Sequence, residues 1–207
     1  MIIFRYEGIP VRLHFSFWIL VAFLLVPELL SGSVNSVAYL SFMIAGLFGS
    51  VVLHEFGHAL TAKRFGIETR SITLYPFGGI AALTSEPSTS RSEFYIALAG
   101  PAVNLILCLV FLPFYWVGIP FFPELIAVNL MLGVFNLVPA FPMDGGRVLR
   151  AFLSTRMPRV KATLWSLEVS KVFAWIFIIG GVMMNNFSLM FIGGVLFFFI
   201  WGIKQQL

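Results

Sequence analysis

The chain has 207 residues, of which 59% are hydrophobic and only 11% charged, with a mean hydropathy of +0.97. So little polar surface cannot cover a water-soluble domain of this size, and the composition reads as a polytopic α-helical membrane protein. The formal charge of +4 does not point to nucleic acid, because basic residues of membrane proteins gather at the cytoplasmic face, and a lone cysteine, Cys108, excludes an intrachain disulfide and a thiolate zinc cluster.

No linker or internal repeat divides the chain, so a single domain over residues 1–207 is expected. It opens on IIFRYEGIPVRLHF (2–15), where polar residues mix with β-branched and aromatic ones around Gly8 and Pro10, the pattern of a small N-terminal β-hairpin. The first apolar segment contains Pro27 and Glu28 and is followed by no small-residue cleavage site, unlike a signal peptide. It is the first of six segments, at about 15–30, 37–63, 93–117, 122–143, 163–184 and 187–203, that approach the ~20 residues a bilayer core requires. After the second comes RSITLYPFGGIAALT (70–84), of strand composition but interrupted by Pro76, Gly78 and Gly79. It is expected to be a membrane-associated β segment covered by protein or a water-filled cavity. Beyond the fourth, RVLRAFLSTRMPRVK (147–161) sets arginines among apolar residues at helical spacing and reads as a surface helix at headgroup level. Only Asn185 and Asn186 join the fifth and sixth segments, which therefore form a tight helical hairpin. Lys171, inside a span, has Glu168 one turn earlier as its partner.

Six spans sort the charges. Arg5, Arg12, Lys63, Arg64, Arg70, Arg91, Arg147, Arg150, Arg156, Arg159, Lys161 and Lys204 all fall on one side, whereas the loops 31–36, 113–123 and 185–186 hold no Lys or Arg. Both termini are therefore expected in the cytoplasm, and a prokaryotic cell membrane is the expected location.

Within the second span lies VVLHEFGHALTAKRFG (51–66). Positions i and i+4 share a helix face, so His54 and His58 can reach one metal ion with Glu55 beside them, the H-E-x-x-H arrangement of soluble zinc proteases. Ionisable groups at this depth default to function. Gly46, Gly49, Ser50 and Gly57 are small residues that let neighbouring helices approach and turn the histidines to the bundle interior. His14, at the end of the first span, reads as an ordinary interfacial residue. The better third ligand is Asp144 in NLVPAFPMDGGR (136–147), where Pro139 and Pro142 interrupt the helix and Gly145–Gly146 permit a sharp turn; the alternative is a helix-end pair between Asp144 and Arg147.

HEFGH at 54–58, GPAVN at 100–104 and NLVPAFPMDGG at 136–146, each on a separate span in this order, resemble the site-2 protease family of intramembrane zinc metalloproteases. The resemblance covers nearly the whole chain. It implies one zinc ion held by His54, His58 and Asp144, with Glu55 as the catalytic acid/base. It further suggests Asn104 and Asn136 as holding substrate or the oxyanion, with interhelical hydrogen bonds as their alternative role. The six-span subgroup often carries a cystathionine-β-synthase-type domain after the last helix, and this sequence stops at Leu207. The partners implied are transmembrane protein substrates and the lipid bilayer, with a regulatory membrane protein as a further candidate. The 70–84 segment, with Gly78 and Gly79, is a candidate edge for an extended substrate. The rival class is a zinc-binding membrane transporter or other non-proteolytic membrane protein, which would also use intramembrane His and Asp.

Overall fold

The structure is a computed structural model that describes residues 2–76, 78–205 and 207. Its elements run β1 (Ile2–Tyr6), β2 (Ile9–Leu13), α1 (Phe15–Leu30), α2 (Val34–Arg64), β3 (Thr69–Tyr75), β4 (Gly78–Leu83), α3 (Ser90–Trp116), α4 (Phe122–Asn136), α5 (Asp144–Leu153), α6 (Arg159–Met183) and α7 (Phe187–Lys204). Two compact units result, Met1–Glu86 with Ala99–Gly133, and Pro87–Leu98 with Val134–Leu207, so α3 and α4 each contribute to both.

In the first unit the expected hairpin forms across a two-residue turn. Glu7 and Gly8 both adopt positive φ, 52° and 80°, the geometry that matches the twist of paired strands. The turn is fastened to the end of α2, where Lys63 Nζ donates to Glu7 Oε2 at 2.7 Å, and that hydrogen bond and the ammonium charge hold the Glu7 carboxyl below its ordinary range. The hairpin does not stand alone. β2 pairs in parallel with β3, and β3 antiparallel with β4, giving one four-stranded sheet in the order β1-β2-β3-β4. The 70–84 segment is thus two strands, β3 inside the sheet and β4 at one of its two edges. The sheet rests on α2: Ile9, Val11 and Ile72 bury against Phe56 and Ala59, and Leu13 and Leu74 against Val51, Phe48 and Phe17. Ile72 and Leu74, two apart on β3, share the inward face as the period of a strand requires. Gly57 lies where a Cβ would meet the Ala99 carbonyl of α3 at 2.7 Å, and Gly46 accommodates the Leu125 side chain of α4. Gly49 has no such neighbour within 4 Å, so close approach uses two of the three glycines.

In the second unit α6 and α7 form the expected hairpin. Asn185 takes φ 50°, and Asn186 Oδ1 accepts from the Leu189 N–H at 3.2 Å as the helix cap. Gly193 lets the helices close, a Cβ there falling 2.7 Å from the Ala174 carbonyl. Lys171 Nζ donates to Glu168 Oε1 at 2.6 Å, as anticipated. Ala140 and Met143 bury against Ala174 and Leu196, and Phe141 against Leu167 and Ile200.

Two sequence expectations need correction. The fourth helix ends at Asn136 rather than 143, because Pro139 and Pro142 cannot donate to a continuing ladder. Residues 147–161 are not one surface helix: α5 already begins at Asp144, buries Gly145, Gly146 and Ala151, and stops at Leu153, while Pro158 caps the start of α6. Among the described residues four helices, α2, α3, α6 and α7, are long and apolar enough to cross a bilayer, and α1 and α4 are shorter apolar helices. Phe23, Leu109, Ile176 and Phe198 are exposed on these helices, a surface suited to lipid as solvent.

Candidate metal and proteolytic site

α2 is unbroken from Val34 to Arg64, so His54 and His58 lie one turn apart, and both are buried. Their Nε2 atoms are 3.1 Å apart. That separation fits two ligands of one ion, since a tetrahedral zinc with bonds of ~2.0–2.1 Å to nitrogen has a ligand–ligand edge of about 3.3 Å. Asn104 of α3 sets Oδ1 2.6 Å from His54 Nδ1, the kind of outer partner that fixes a ligating imidazole. Gly100, one turn earlier on α3, clears the same space. A Cβ there would lie 2.6 Å from His54 Nε2 and closer still to His58 Nε2.

Glu55 faces the sheet. Its Oε2 accepts from the Ala81 N–H of β4 at 3.1 Å, and a Cβ on Gly79 would fall 2.6 Å from its Cγ. Glycine at 79 therefore lets the edge strand lie directly on the carboxylate. Gly78 opens β4 at φ 143° with nothing near a would-be Cβ, so its contribution is conformational. His14 caps α1, its Nδ1 2.7 Å from Ser16 Oγ and its ring tilted against those of Phe15 and Tyr75.

Asp144 and Asn136 belong to the second unit. Asp144 is buried in the first turn of α5, where the helix dipole favours an anion. Its Oδ1 lies 3.9 Å from Arg147 Nη1, so the helix-end pair also exists, at long range. Gly145 and Gly146 do not turn the chain. They are helical residues whose Cβ atoms would strike the backbone of 137–138 and 140–141, and they let α5 fold against the segment after α4. That segment is held by short turns, Ala140 N–H to Val138 O at 2.7 Å and Met143 N–H to Ala140 O at 2.9 Å, and by the Phe141 N–H donating to Ser170 Oγ at 2.9 Å. Asn136 is the last residue of α4 and is half-buried.

The first unit thus brings together His54, Glu55, His58, Asn104 and Gly79. For Asn104 the structure shows the interhelical role: it is fully buried and its Nδ2 donates to Asn129 Oδ1 at 2.9 Å. Sequence reasoning placed Gly100 in the GPAVN motif without giving it a role, and it missed Asn129, a mid-helix amide that lipid would not tolerate unpaired. It also missed Glu93. This carboxylate, 1% exposed, accepts from Arg150 Nε at 2.7 Å and from Arg150 Nη2, and lies 3.6 Å from Arg159 Nη2.

The pattern of peptidase family M50 matches residues 42–121 and 116–179. A zinc metalloprotease of Methanocaldococcus jannaschii is 39% identical over 99% of this chain and 59% of its own. Rip3 of Mycobacterium tuberculosis is 32% identical over 93% of this chain and 56% of its own, so the chain spans little more than half the length of these relatives. Among solved structures, the site-2 protease from Methanocaldococcus jannaschii superimposes with a TM-score of 0.70 at 35% identity, covering 98% of this chain and 94% of that one. With the motif helices in place and a family match across most of its length, the chain belongs to peptidase family M50, the family of the site-2 protease.

Proposed function

We propose that the chain is an intramembrane zinc metalloprotease that hydrolyses peptide bonds of transmembrane substrates within or near the bilayer. The observation that carries this reading is the buried pair of imidazole nitrogens 3.1 Å apart, with Glu55 adjacent and facing a strand edge. His54, His58 and Asp144 would hold the zinc, which supplies Lewis acidity and lowers the pKa of water when bound. Glu55 takes the proton of the attacking water and returns it to the leaving amine as the C–N bond breaks. Asn136, at the unwound end of α4, is the remaining candidate for a substrate-holding amide.

The substrate edge is β4. Along an antiparallel strand both backbone groups of a residue point the same way. Since the Ala81 N–H is turned to Glu55, the backbone groups of residues 79, 81 and 83 point away from β3, and an extended substrate that took the place of the Glu55 bond there would lie against the acid/base. The six-span topology with cytoplasmic termini is part of the same proposal. α1 with 16 residues and α4 with 15 reach about 24 Å and 22 Å at ~1.5 Å per residue. The irregular segment 137–143 extends the second of these.

The rival transporter would need ligands at several depths, and the sequence has only three histidines and one cysteine to offer. Incubation of the purified protein with a panel of single-span membrane proteins, with and without chelator, separates the readings. Glu55→Gln should retain about one zinc per chain yet cleave nothing, and Asp144→Ala should lose most of the zinc. Unchanged cleavage by zinc-loaded Glu55→Gln refutes the mechanism, and zinc flux into liposomes without cleavage favours the transporter.

A further inference from the structure

A chain of hydrogen bonds runs from the backbone of α2 and α4 to the His54 ring, and its direction is fixed at the far end. Ser50 Oγ donates its one proton to the Gly46 carbonyl at 2.8 Å, so towards Asn129 it can only accept. The Asn129 amide lies 2.9 Å from Ser50 Oγ and 2.9 Å from the Leu125 carbonyl. Both are acceptors there, so the atom facing them must be the nitrogen, Nδ2, and both its protons are used. Asn129 Oδ1 is then left towards Asn104 and accepts from Asn104 Nδ2 at 2.9 Å. That in turn leaves Asn104 Oδ1 facing His54 Nδ1 at 2.6 Å. A carbonyl oxygen has no proton to give, so Nδ1 carries the ring proton, and in the neutral imidazole Nε2 carries the lone pair. Nε2 is the nitrogen turned to His58. Asn104 and Asn129 are both 0% exposed, so water cannot compensate for a reversed amide. Flipping either one would set acceptor against acceptor or donor against donor.

We propose that Asn129 and Ser50 are positioning residues that act through Asn104 to lock His54 in the Nδ1–H tautomer before any metal arrives. The consequence for zinc rests on the metalloprotease reading; the tautomer itself does not. In lipid-facing helices an Asn–Asn–Ser chain could serve only to hold helices together, and the two roles differ in what they transmit to the ring.

The test has two arms on the full chain. In the first, 15N-histidine-labelled protein, stripped with chelator at pH 8, is read by 15N NMR, with the His54 signals identified by their loss in His54→Ala. The expected spectrum shows a protonated Nδ1 and a bare Nε2, each populated at least tenfold over the reverse; a protonated Nε2 overturns the proposal. This arm needs no positioning variant to fold. In the second, zinc affinity is measured by chelator competition. Asn104→Leu should weaken zinc 10- to 100-fold, the range for losing an outer-shell partner, and Asn129→Leu several-fold while mixing the tautomers. In the Asn104→Leu background, Asn129→Leu should add nothing. An equal loss in both backgrounds would make Asn129 a purely structural residue and refute the relay. If the wild-type ring is Nδ1–H but zinc does not bind, the metalloprotease reading fails and the tautomer lock stands.

Discussion

Gly100 and Gly79 illustrate how much of this site is made by side chains that are absent. Alanine is a better helix former than glycine by ~1 kcal/mol, so Gly100→Ala should leave α3 intact or slightly firmer. Its Cβ, however, would lie within 2.6 Å of His54 Nε2 and nearer to His58 Nε2, and one of the rings must leave its position. The expected result is at least tenfold weaker zinc binding at unchanged helicity, measured by chelator competition and circular dichroism on the same samples. Gly79→Ala acts on the other functional group, pushing Glu55 where its Cγ stands 2.6 Å from the added carbon. Cleavage should fall while zinc is retained. These glycines also mark a limit of the sequence. The reactive residues are legible because histidine and glutamate are costly to bury within an apolar span unless they act there. A glycine carries no such sign, and Gly145–Gly146, whose sequence suggests a turn, serve a close backbone approach instead.

Hydrophobic patterning located all the long helices, and caps such as Ser33 and Asn186 define their starts. Patterning could not reveal that β2 and β3 pair across the whole α1–α2 excursion, because strand partners far apart in sequence leave no local signal. That pairing decides which strand a substrate can use. Ile72 is fully buried on an inner strand opposite Ala81, and with the Ala81 N–H turned to Glu55 its own backbone faces β2. Ile72→Pro should therefore destabilise the sheet by about 1–3 kcal/mol for the lost buried hydrogen bond alone. Ala81→Pro removes the outward donor, and with it the bond to Glu55 Oε2, at a position that an edge strand tolerates. Cleavage should drop strongly with little change in thermal unfolding, and if Ala81→Pro cleaves normally, β4 is not the docking edge. The second unit has its own brace. Glu93 joins Arg150 of α5 and Arg159 of α6 with 1% of its side chain exposed. Removing it would strand a partly buried guanidinium, and Glu93→Ala should cost on the order of 3–5 kcal/mol, read as a lowered unfolding temperature in detergent. The sequence showed these charges but not their meeting, since residues so far apart along the chain have no periodicity in common.

At the scale of the whole molecule the proposed topology turns on two short helices, α1 and α4. A hydrocarbon core of ~30 Å exceeds the ~24 Å of α1 and the ~22 Å of α4. The proposal that both cross rests on charge distribution. If α4 turned back instead, Arg147, Arg150, Arg156, Arg159 and Lys161 would move to the side of the loop 113–123, which has no basic residue, against the usual bias. If α1 turned back, Arg5 and Arg12 would move likewise. Single cysteines in a Cys108→Ala background distinguish the cases at exposed positions. With six spans, cysteines at Asn35 and Met184 should react with an impermeant thiol reagent from outside intact cells. Those at Ile3 and Thr155 should react only after the membrane is opened. A re-entrant α4 would exchange the behaviour of Thr155 and Met184 while leaving Asn35 unchanged. A re-entrant α1 would expose Ile3 alone. Either outcome replaces the six-span topology with a specific alternative, and the first would carry Asp144 and the basic α5 to the outer face, away from a cytoplasmic supply of water to the site.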